Sequence, residues 1–323
     1  MGAILLAIAG MNPRPWQERF DALAPHWEVR TWSGAAGAEF AAVRDPGDIA
    51  YACVWLPPPG LLATLPNLRT IFSLGAGVDH ILCDPALPEG VPVVRIVDPD
   101  LTMRMTEYVV LHVLMHHRGQ RRYDSQQRAH HWHEHDQRPA ADVAVGVMGL
   151  GVLGQDAAQV LRRLGFQVAG WSRTSKHLDG IATFHGADGL ARFLQRTEIL
   201  VCLLPATPAT QGVLCLDLFR QLKHDGALGG AYLINAGRGA LQIDDDILAA
   251  LDEGSLSGAT LDVFPTEPLP VASPLWDHPR VTVTPHCAAA SDPHALVANI
   301  VRQIERHERG LPLEHVVDRG AGY

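Results

Sequence analysis

The chain has 323 residues, 47% hydrophobic and 19% charged. This globular composition excludes disorder, collagen or coiled coil for the whole chain, and the length predicts two domains. Its 26 Lys and Arg face 35 Asp and Glu, a net charge of −9, which argues against nucleic acid and anionic membrane as partners because both call for basic excess. No apolar run approaches the ~20 residues needed to span a bilayer. The five cysteines, Cys53, Cys83, Cys202, Cys215 and Cys287, are odd in number and include no C-x-x-C pair. That is the pattern of reduced thiols in a cytoplasmic protein.

The apolar start at 3–9 is short, lacks a basic leader and runs into Asn12-Pro13, so it reads as a buried strand rather than a signal peptide. Further strands are predicted over 28–31, 52–56, 70–74 and 91–96, with a helix over 16–23. This alternation predicts a parallel sheet wrapped by helices. One long helix is expected over 102–128. Its first half is apolar nearly all round, with Met103, Met105, Tyr108, Val109 and Val113, so it should be buried on several sides. It would connect two domains and meet a partner subunit. A second alternation begins at Asp142, with strands over 143–148, 166–171, 199–204, 231–235, 259–263 and 281–284. Helices fit 153–164 and 244–251, and a last helix fits 293–309.

The apolar run 143–148 leads into Gly149-Leu150-Gly151-Val152-Leu153-Gly154 and then a helical pattern. This is G-x-G-x-x-G in the strand–turn–helix setting that binds a dinucleotide. The first glycine permits a tight turn, the second lets backbone approach a pyrophosphate, and the third packs helix on strand. About 20 residues further on, an NAD site carries an acid for the ribose 2′-hydroxyl. Here the segment reads Ser172-Arg173-Thr174-Ser175-Lys176, with no acid before Asp179. Arg and Lys beside hydroxyls suit a 2′-phosphate through charge-assisted hydrogen bonds, which predicts NADPH over NADH.

Three later apolar runs end in polar residues: Asn235-Ala236-Gly237-Arg238, Asp262-Val263-Phe264 before Glu267, and Thr284-Pro285-His286. Ligands bind at the carboxyl ends of strands in open α/β sheets. An Arg there can fork onto a carboxylate and polarise a keto oxygen. A His can protonate that oxygen as hydride arrives, and a Glu beside the His would favour imidazolium. Arg238, Glu267 and His286 are therefore the candidate catalytic residues.

The order G-x-G-x-x-G, N-A-G-R-G, D-V-F-x-x-E-P-L and T-P-H resembles that of the D-isomer-specific 2-hydroxyacid dehydrogenases, and within them the glyoxylate/hydroxypyruvate reductases. Supporting stretches include Val54-Trp55, Ser73-Leu74-Gly75-Ala76-Gly77, Ser273-Pro274-Leu275-Trp276 and the tail to Tyr323. The resemblance covers essentially the whole chain. It implies an α/β fold of two doubly wound parallel-sheet lobes with a cleft between them. A flavodoxin-like substrate lobe would take 1–99 and 289–323, and a Rossmann NAD(P)-binding lobe would take 100–288. It implies reduction of a small 2-oxo acid, glyoxylate or hydroxypyruvate, in a homodimer, with lobe closure excluding water. By the same resemblance, Leu74, Gly75, Ala76 and Gly77 hold the substrate carboxylate and Trp55 shapes the pocket. Asp262 holds the nicotinamide carboxamide, Leu204, Pro205 and Thr210 lie beneath the nicotinamide-side ribose, and Thr106, Ala236 and Gly237 join the cofactor site.

Two features depart from that pattern. The turn reads Asn235-Ala-Gly-Arg238 where the reductases have Leu-Ala-Arg. The segment 128–141 is His-rich, with His130, His131, His133 and His135. Their spacing fits no standard zinc template, so no metal is expected. Two rival readings stand beside the main one. The first is a dehydrogenase for a bulkier 2-oxo acid, a matter of how Trp55, Trp132 and Trp276 narrow the pocket. The second is a non-catalytic dinucleotide-sensing co-repressor.

Overall fold

The computed structural model describes residues 2–34 and 43–323. In chain order the elements are β1 (Ala3–Ala9), α1 (Arg14–Leu23), β2 (Glu28–Gly34), β3 (Ile49–Trp55), β4 (Thr70–Ser73), α2 (Asp79–Leu82), β5 (Val93–Val94), α3 (Pro99–His117) and α4 (Gln120–Arg128). There follow β6 (Ala144–Met148), α5 (Val152–Arg163), β7 (Gln167–Ser172), β8 (Ala182–His185), α6 (Gly186–Leu194), β9 (Ile199–Cys202) and α7 (Leu216–Phe219). The chain ends with β10 (Tyr232–Asn235), α8 (Asp244–Glu253), β11 (Gly258–Leu261), β12 (Val281–Val283) and α9 (Pro293–Glu308). It divides into two compact units, Met1–Leu101 with Ser291–Tyr323, and Thr102–Ala290.

The first unit is built on a parallel sheet in the order β2-β1-β3-β4-β5. This is the flavodoxin-like order, with its switch point between β1 and β3. All seven residues of β1 are buried, which explains its unbroken apolar run, since a parallel strand is covered on both faces. Trp16 and Phe20 of α1 pack on one face with Leu296, Val297, Ile300 and Ile304 of α9. Leu61, Leu62, Val78 and Ile81 cover the other. Thus the apolar stripe of α9 brings the chain's end back to its first strands. Pro293 opens that helix, and the Asp292 carboxylate accepts from the His294 N–H at 2.9 Å, an N-cap.

The second unit has a seven-stranded parallel sheet in the order β12-β11-β10-β9-β6-β7-β8. Six of these strands follow the Rossmann order 3-2-1-4-5-6, with β12 added at one edge. The switch point lies between β6 and β9. Glu198, fully buried, accepts from the N–H groups of Ala144 at 3.0 Å and Leu228 at 2.9 Å. It thereby ties the start of β9 to β6, the two strands that flank the switch point.

The expected continuous helix over 102–128 is two helices. It begins earlier, at Pro99, where proline suits the first turn, and α3 stops at His117. Gly119 takes a left-handed φ of 62° and restarts the chain as α4. Composition alone did not mark that glycine as a break, since a lone Gly inside a helical pattern is often tolerated. The strand β8 and the helices α6 and α7 were not foreseen. The strand β8 is an edge strand whose four residues, Ala-Thr-Phe-His, are all at least partly exposed, so it has no apolar run to read. Among the described residues, no helix is long and apolar enough to cross a membrane.

Candidate active site

Because every strand of the second unit's sheet is parallel, the carboxyl ends of β6, β7, β9, β10, β11 and β12 share one edge. The segments that follow them contain the predicted glycine turn, the basic turn, Leu204, Arg238, Asp262 and His286. The backbone ladder continues past the strand ends and fixes these segments. Gly149 N–H donates to Trp171 C=O at 2.9 Å, Leu203 N–H to Met148 C=O at 2.8 Å, and Asp262 N–H to Asn235 C=O at 3.0 Å.

The glycine turn has the shape that a dinucleotide needs. Gly149 adopts φ 112° and its Cβ would meet the Leu203 carbonyl at 2.7 Å. A Cβ at Gly154 would collide with the Gly149 carbonyl, whereas one at Gly151 would meet nothing within 4 Å. The turn is thus tight beneath and open above, at the N-terminus of the twelve-residue α5, whose first N–H groups have no side-chain cap. Unpaired helix N–H groups and a positive dipole end form an anion site, so these residues fit a pyrophosphate. Leu150 is buried and packs toward Gly170, while Val152 is exposed.

At the end of β7, the buried Ser172 donates its hydroxyl to Thr174 C=O at 2.8 Å, so it shapes the turn from within. Arg173, Thr174 and Lys176 are exposed around it. The segment after β9 closes on itself: Thr210 Oγ1 donates to Pro205 C=O at 2.7 Å and accepts from the Thr207 N–H at 2.9 Å. Thr106 on α3 donates to Asp156 of α5 at 2.6 Å, which ties the long helix to the helix that follows the glycine turn.

Arg238 follows β10 on a turn held from below. Asn235, fully buried, donates to Gln242 Oε1 at 2.7 Å and to Arg238 C=O at 3.2 Å, and accepts from the Gly237 N–H at 3.1 Å. Ala236 and Gly237 are buried inside this turn. The half-buried Arg238 guanidinium also donates to Gly237 C=O at 2.8 Å. The Asn235 amide thus meets both a backbone donor and a backbone acceptor of the loop.

His286 Nδ1 lies 2.7 Å from Glu267 Oε2, and Glu267 Oε1 accepts from the Phe264 N–H at 2.9 Å. A carboxylate only accepts, so Nδ1 carries the proton of this bond. Burial pushes the Glu267 carboxyl up. The hydrogen bonds from His286 and the Phe264 N–H, with the charges of His286 and Arg238, outweigh it and hold the group below the usual carboxylate range. The imidazole backbone is left-handed, φ 51°, which costs a non-glycine residue about 1–2 kcal/mol. Its own N–H is held by Asp262 C=O at 2.8 Å. The Asp262 side chain, 1% exposed, accepts from Thr284 Oγ1 at 2.6 Å and from the N–H groups of Cys287 and Ala288 at 2.9 Å each.

In the first unit, Trp55 ends β3 and the 74–77 turn follows β4, two adjacent carboxyl ends. A Cβ at Gly75 would strike the Trp55 indole at 2.5 Å, so glycine lets the ring lie against the turn. His80 sits beside the same ring, centroids 5.0 Å apart. The single hydroxyl proton of Ser73 is shared within the turn, with Gly75 C=O at 3.0 Å and Gly77 C=O at 2.9 Å from Oγ. The expected catalytic pair Glu267–His286 is brought together, and Arg238's charge is felt at Glu267. The sequence offered no signal for Tyr108, 176 positions from its partner Thr284, nor for Asn235 and Gln242 beneath Arg238. Among the described residues, no cluster of His, Cys, Asp and Glu is able to hold a metal ion.

The sequence profile of the D-isomer specific 2-hydroxyacid dehydrogenase NAD binding domain matches residues 110–288. The chain belongs to the D-isomer specific 2-hydroxyacid dehydrogenase family. It is 41% identical over 320 residues, 97% of both chains, to glyoxylate/hydroxypyruvate reductase A of Serratia proteamaculans. A crystal structure of an NADPH-dependent glyoxylate/hydroxypyruvate reductase from Sinorhizobium meliloti, in complex with NADP and sulfate, is 46% identical. It superimposes with a TM-score of 0.92 and covers 99% of this chain and 100% of its own. A family structure from Xanthobacter autotrophicus Py2, in complex with NADPH and MES, is 40% identical with a TM-score of 0.92, covering 100% of this chain and 99% of its own.

Proposed function

We propose that this protein is an NADPH-dependent reductase of glyoxylate and hydroxypyruvate, forming glycolate and D-glycerate. The observation that carries the reading is the Glu267–His286 pair, at 2.7 Å, on the same sheet edge as Arg238 and the glycine turn. Relatives at 41% and 46% identity are named for that reaction, and family structures at 46% and 40% identity hold NADP and NADPH.

Bound NADPH supplies the hydride that goes to C2 of the 2-oxo acid. The chain's residues do the rest. Arg238 forks onto the substrate carboxylate and polarises the keto oxygen. The imidazolium of His286 gives its Nε2 proton to that oxygen. Glu267 keeps the ring oriented and favours its charged form. The backbone amides of 74–77 take the carboxylate, and Trp55 sets the space beside them. The glycine turn and α5 take the pyrophosphate, with Arg173, Thr174 and Lys176 around the 2′-phosphate. Asp262, with Thr106, Leu204, Pro205 and Thr210, serves the nicotinamide half.

We further infer a cytoplasmic homodimer. Its five cysteines are free thiols, and α3 presents Met103 and Leu111, 60% and 54% exposed, as apolar surface for a second copy. The division into a substrate unit and a cofactor unit belongs to the same proposal.

The test is absorbance decay of NADPH with glyoxylate and with hydroxypyruvate, beside NADH controls. Fast NADPH loss and slow NADH loss are expected. Decay only with bulkier 2-oxo acids such as phenylpyruvate would move the substrate assignment. Tight NADPH binding with no turnover on any 2-oxo acid would overturn it in favour of a sensor.

A further inference from the structure

The turn that carries His286 hangs from one buried carboxylate. Asp262 Oδ1 takes the Thr284 hydroxyl and the Cys287 N–H, and Oδ2 takes the Ala288 N–H. The donors therefore flank His286 on both sides. A carboxylate on its own rotates about its last bond, and that rotation would swing these donors. Thr284 has a single hydroxyl proton, which goes to Asp262. The hydroxyl of Tyr108, 2.7 Å from Thr284 Oγ1, must then be the donor to Thr284. Tyr108 is 8% exposed on α3, with its ring against His112, centroids 4.2 Å apart. The order of donation is fixed from end to end: Tyr108 to Thr284, Thr284 to Asp262, and Asp262 accepting from the His286 turn. The Cys287 thiol also lies within hydrogen-bond reach of Asp262 and Thr284.

We propose that Tyr108 and Thr284 are positioning residues for the proton donor: their hydroxyl relay locks the Asp262 carboxylate, and through it the left-handed turn that aims His286 at the substrate oxygen. This rests on the reading of His286 as that donor. The relay touches no reacting atom. It acts through placement, and proton transfer is sensitive to displacements of a fraction of an ångström. It also gives α3 a role that its burial alone does not, as the far anchor of the catalytic turn.

The experiment uses the full chain and four variants, Thr284→Val, Thr284→Ser, Tyr108→Phe and His286→Ala. Sites are counted by NADPH fluorescence titration, so that kcat refers to folded, cofactor-binding protein. Thr284→Val keeps the shape and loses the hydroxyl. Its kcat should fall about tenfold or more, with KM for the 2-oxo acid within about threefold of wild type. Thr284→Ser keeps the hydroxyl and should restore most of the rate. Tyr108→Phe should lower kcat in the same direction by roughly threefold, since the carboxylate keeps its Thr284 bond. Should Thr284→Val fold poorly, Tyr108→Phe, which keeps its ring, carries the test. A wild-type kcat in Thr284→Val, or in Tyr108→Phe where that variant carries the test, would overturn the relay. So would a Thr284→Ser enzyme as slow as the valine variant, which would assign the loss to methyl packing. His286→Ala separates the two readings. If it is slow while Thr284→Val turns over normally, only the relay falls. If His286→Ala itself turns over normally, the donor assignment falls first.

Discussion

The imidazole of His286 and the carboxylate of Glu267 meet at 2.7 Å, with each side chain about one-third exposed, 36% and 35%. The contact fixes Nδ1 on Glu267, and Nε2 is the nitrogen that the proposed function assigns to the substrate oxygen. Glu267 is held below the usual carboxylate range, against the opposing effect of burial, by His286, the Phe264 N–H and Arg238. It therefore stays anionic wherever the enzyme would be assayed.

Glu267→Gln preserves the hydrogen-bond acceptor and removes the charge. The variant should lose about tenfold or more in kcat/KM, because the ring loses its charged partner while the bond to Nδ1 remains. The check is steady-state kcat/KM for both proteins. Wild-type turnover in the variant would remove Glu267 from the proton chemistry.

Arg238→Ala should lose about 3–4 kcal/mol of transition-state stabilisation, the scale of deleting one preorganised electrostatic donor. Arg238→Lys should recover little, because an ammonium does not reproduce the planar fork. Steady-state kcat/KM measures both, and near-wild-type turnover in the alanine variant contradicts the assignment. The buried Asn235 amide holds the turn beneath, so the loop itself should survive either change.

For the cofactor, Arg173→Ala should weaken NADPH by about 1.5–3 kcal/mol, the range for hydrogen bonds to charged groups. NADH should be nearly unaffected, because it lacks the 2′-phosphate. Fluorescence titration with each nucleotide reads this directly. Equal losses for the two would show that Arg173 serves the turn and not the phosphate.

The helix α3 makes a stability prediction. His116 is buried, with Nε2 3.0 Å from Thr260 Oγ1, and burial with the charges of His112 and Arg121 pushes its pKa down to about 3. In the unfolded chain it titrates near 6.5. The unfolded state thus binds the proton first as the pH falls. Stability is full above pH 6.5 and declines between about 6.5 and 3, at up to ~1.4 kcal/mol per pH unit from this group. Burial pushes His112 down as well, which adds the same sign. Urea unfolding midpoints at pH 7.5 and 5.5 should differ in wild type and differ less in His116→Gln. An unchanged pH dependence in that variant would place the acid sensitivity elsewhere.

The sheets and the glycine turn were legible in the sequence because their signals are local. Unbroken apolar runs of four to seven residues mark strands covered on both faces. G-x-G-x-x-G carries its own turn geometry within six positions. The residue types Arg, Glu and His were legible too, because each closes an apolar run on which a parallel sheet imposes a common edge. The break at Gly119 was not, because one glycine is compatible with either a continuous or an interrupted helix. Nor was β8, which as an edge strand has no apolar periodicity to show.

What the sequence by itself determined is the set of chemical groups and the strand ends that carry them. Only the tertiary structure decided which group bonds to which. The Glu267–His286 pair spans 19 positions and the Tyr108–Thr284 bond spans 176, and no spacing rule reaches across such distances. Those contacts follow from the order in which strands enter the sheet. Once β11 and β12 lie side by side with α3 packed against them, buried hydroxyls and carboxylates must find partners or lose their hydration uncompensated. The strained turn of His286 is where that requirement and the chemistry meet.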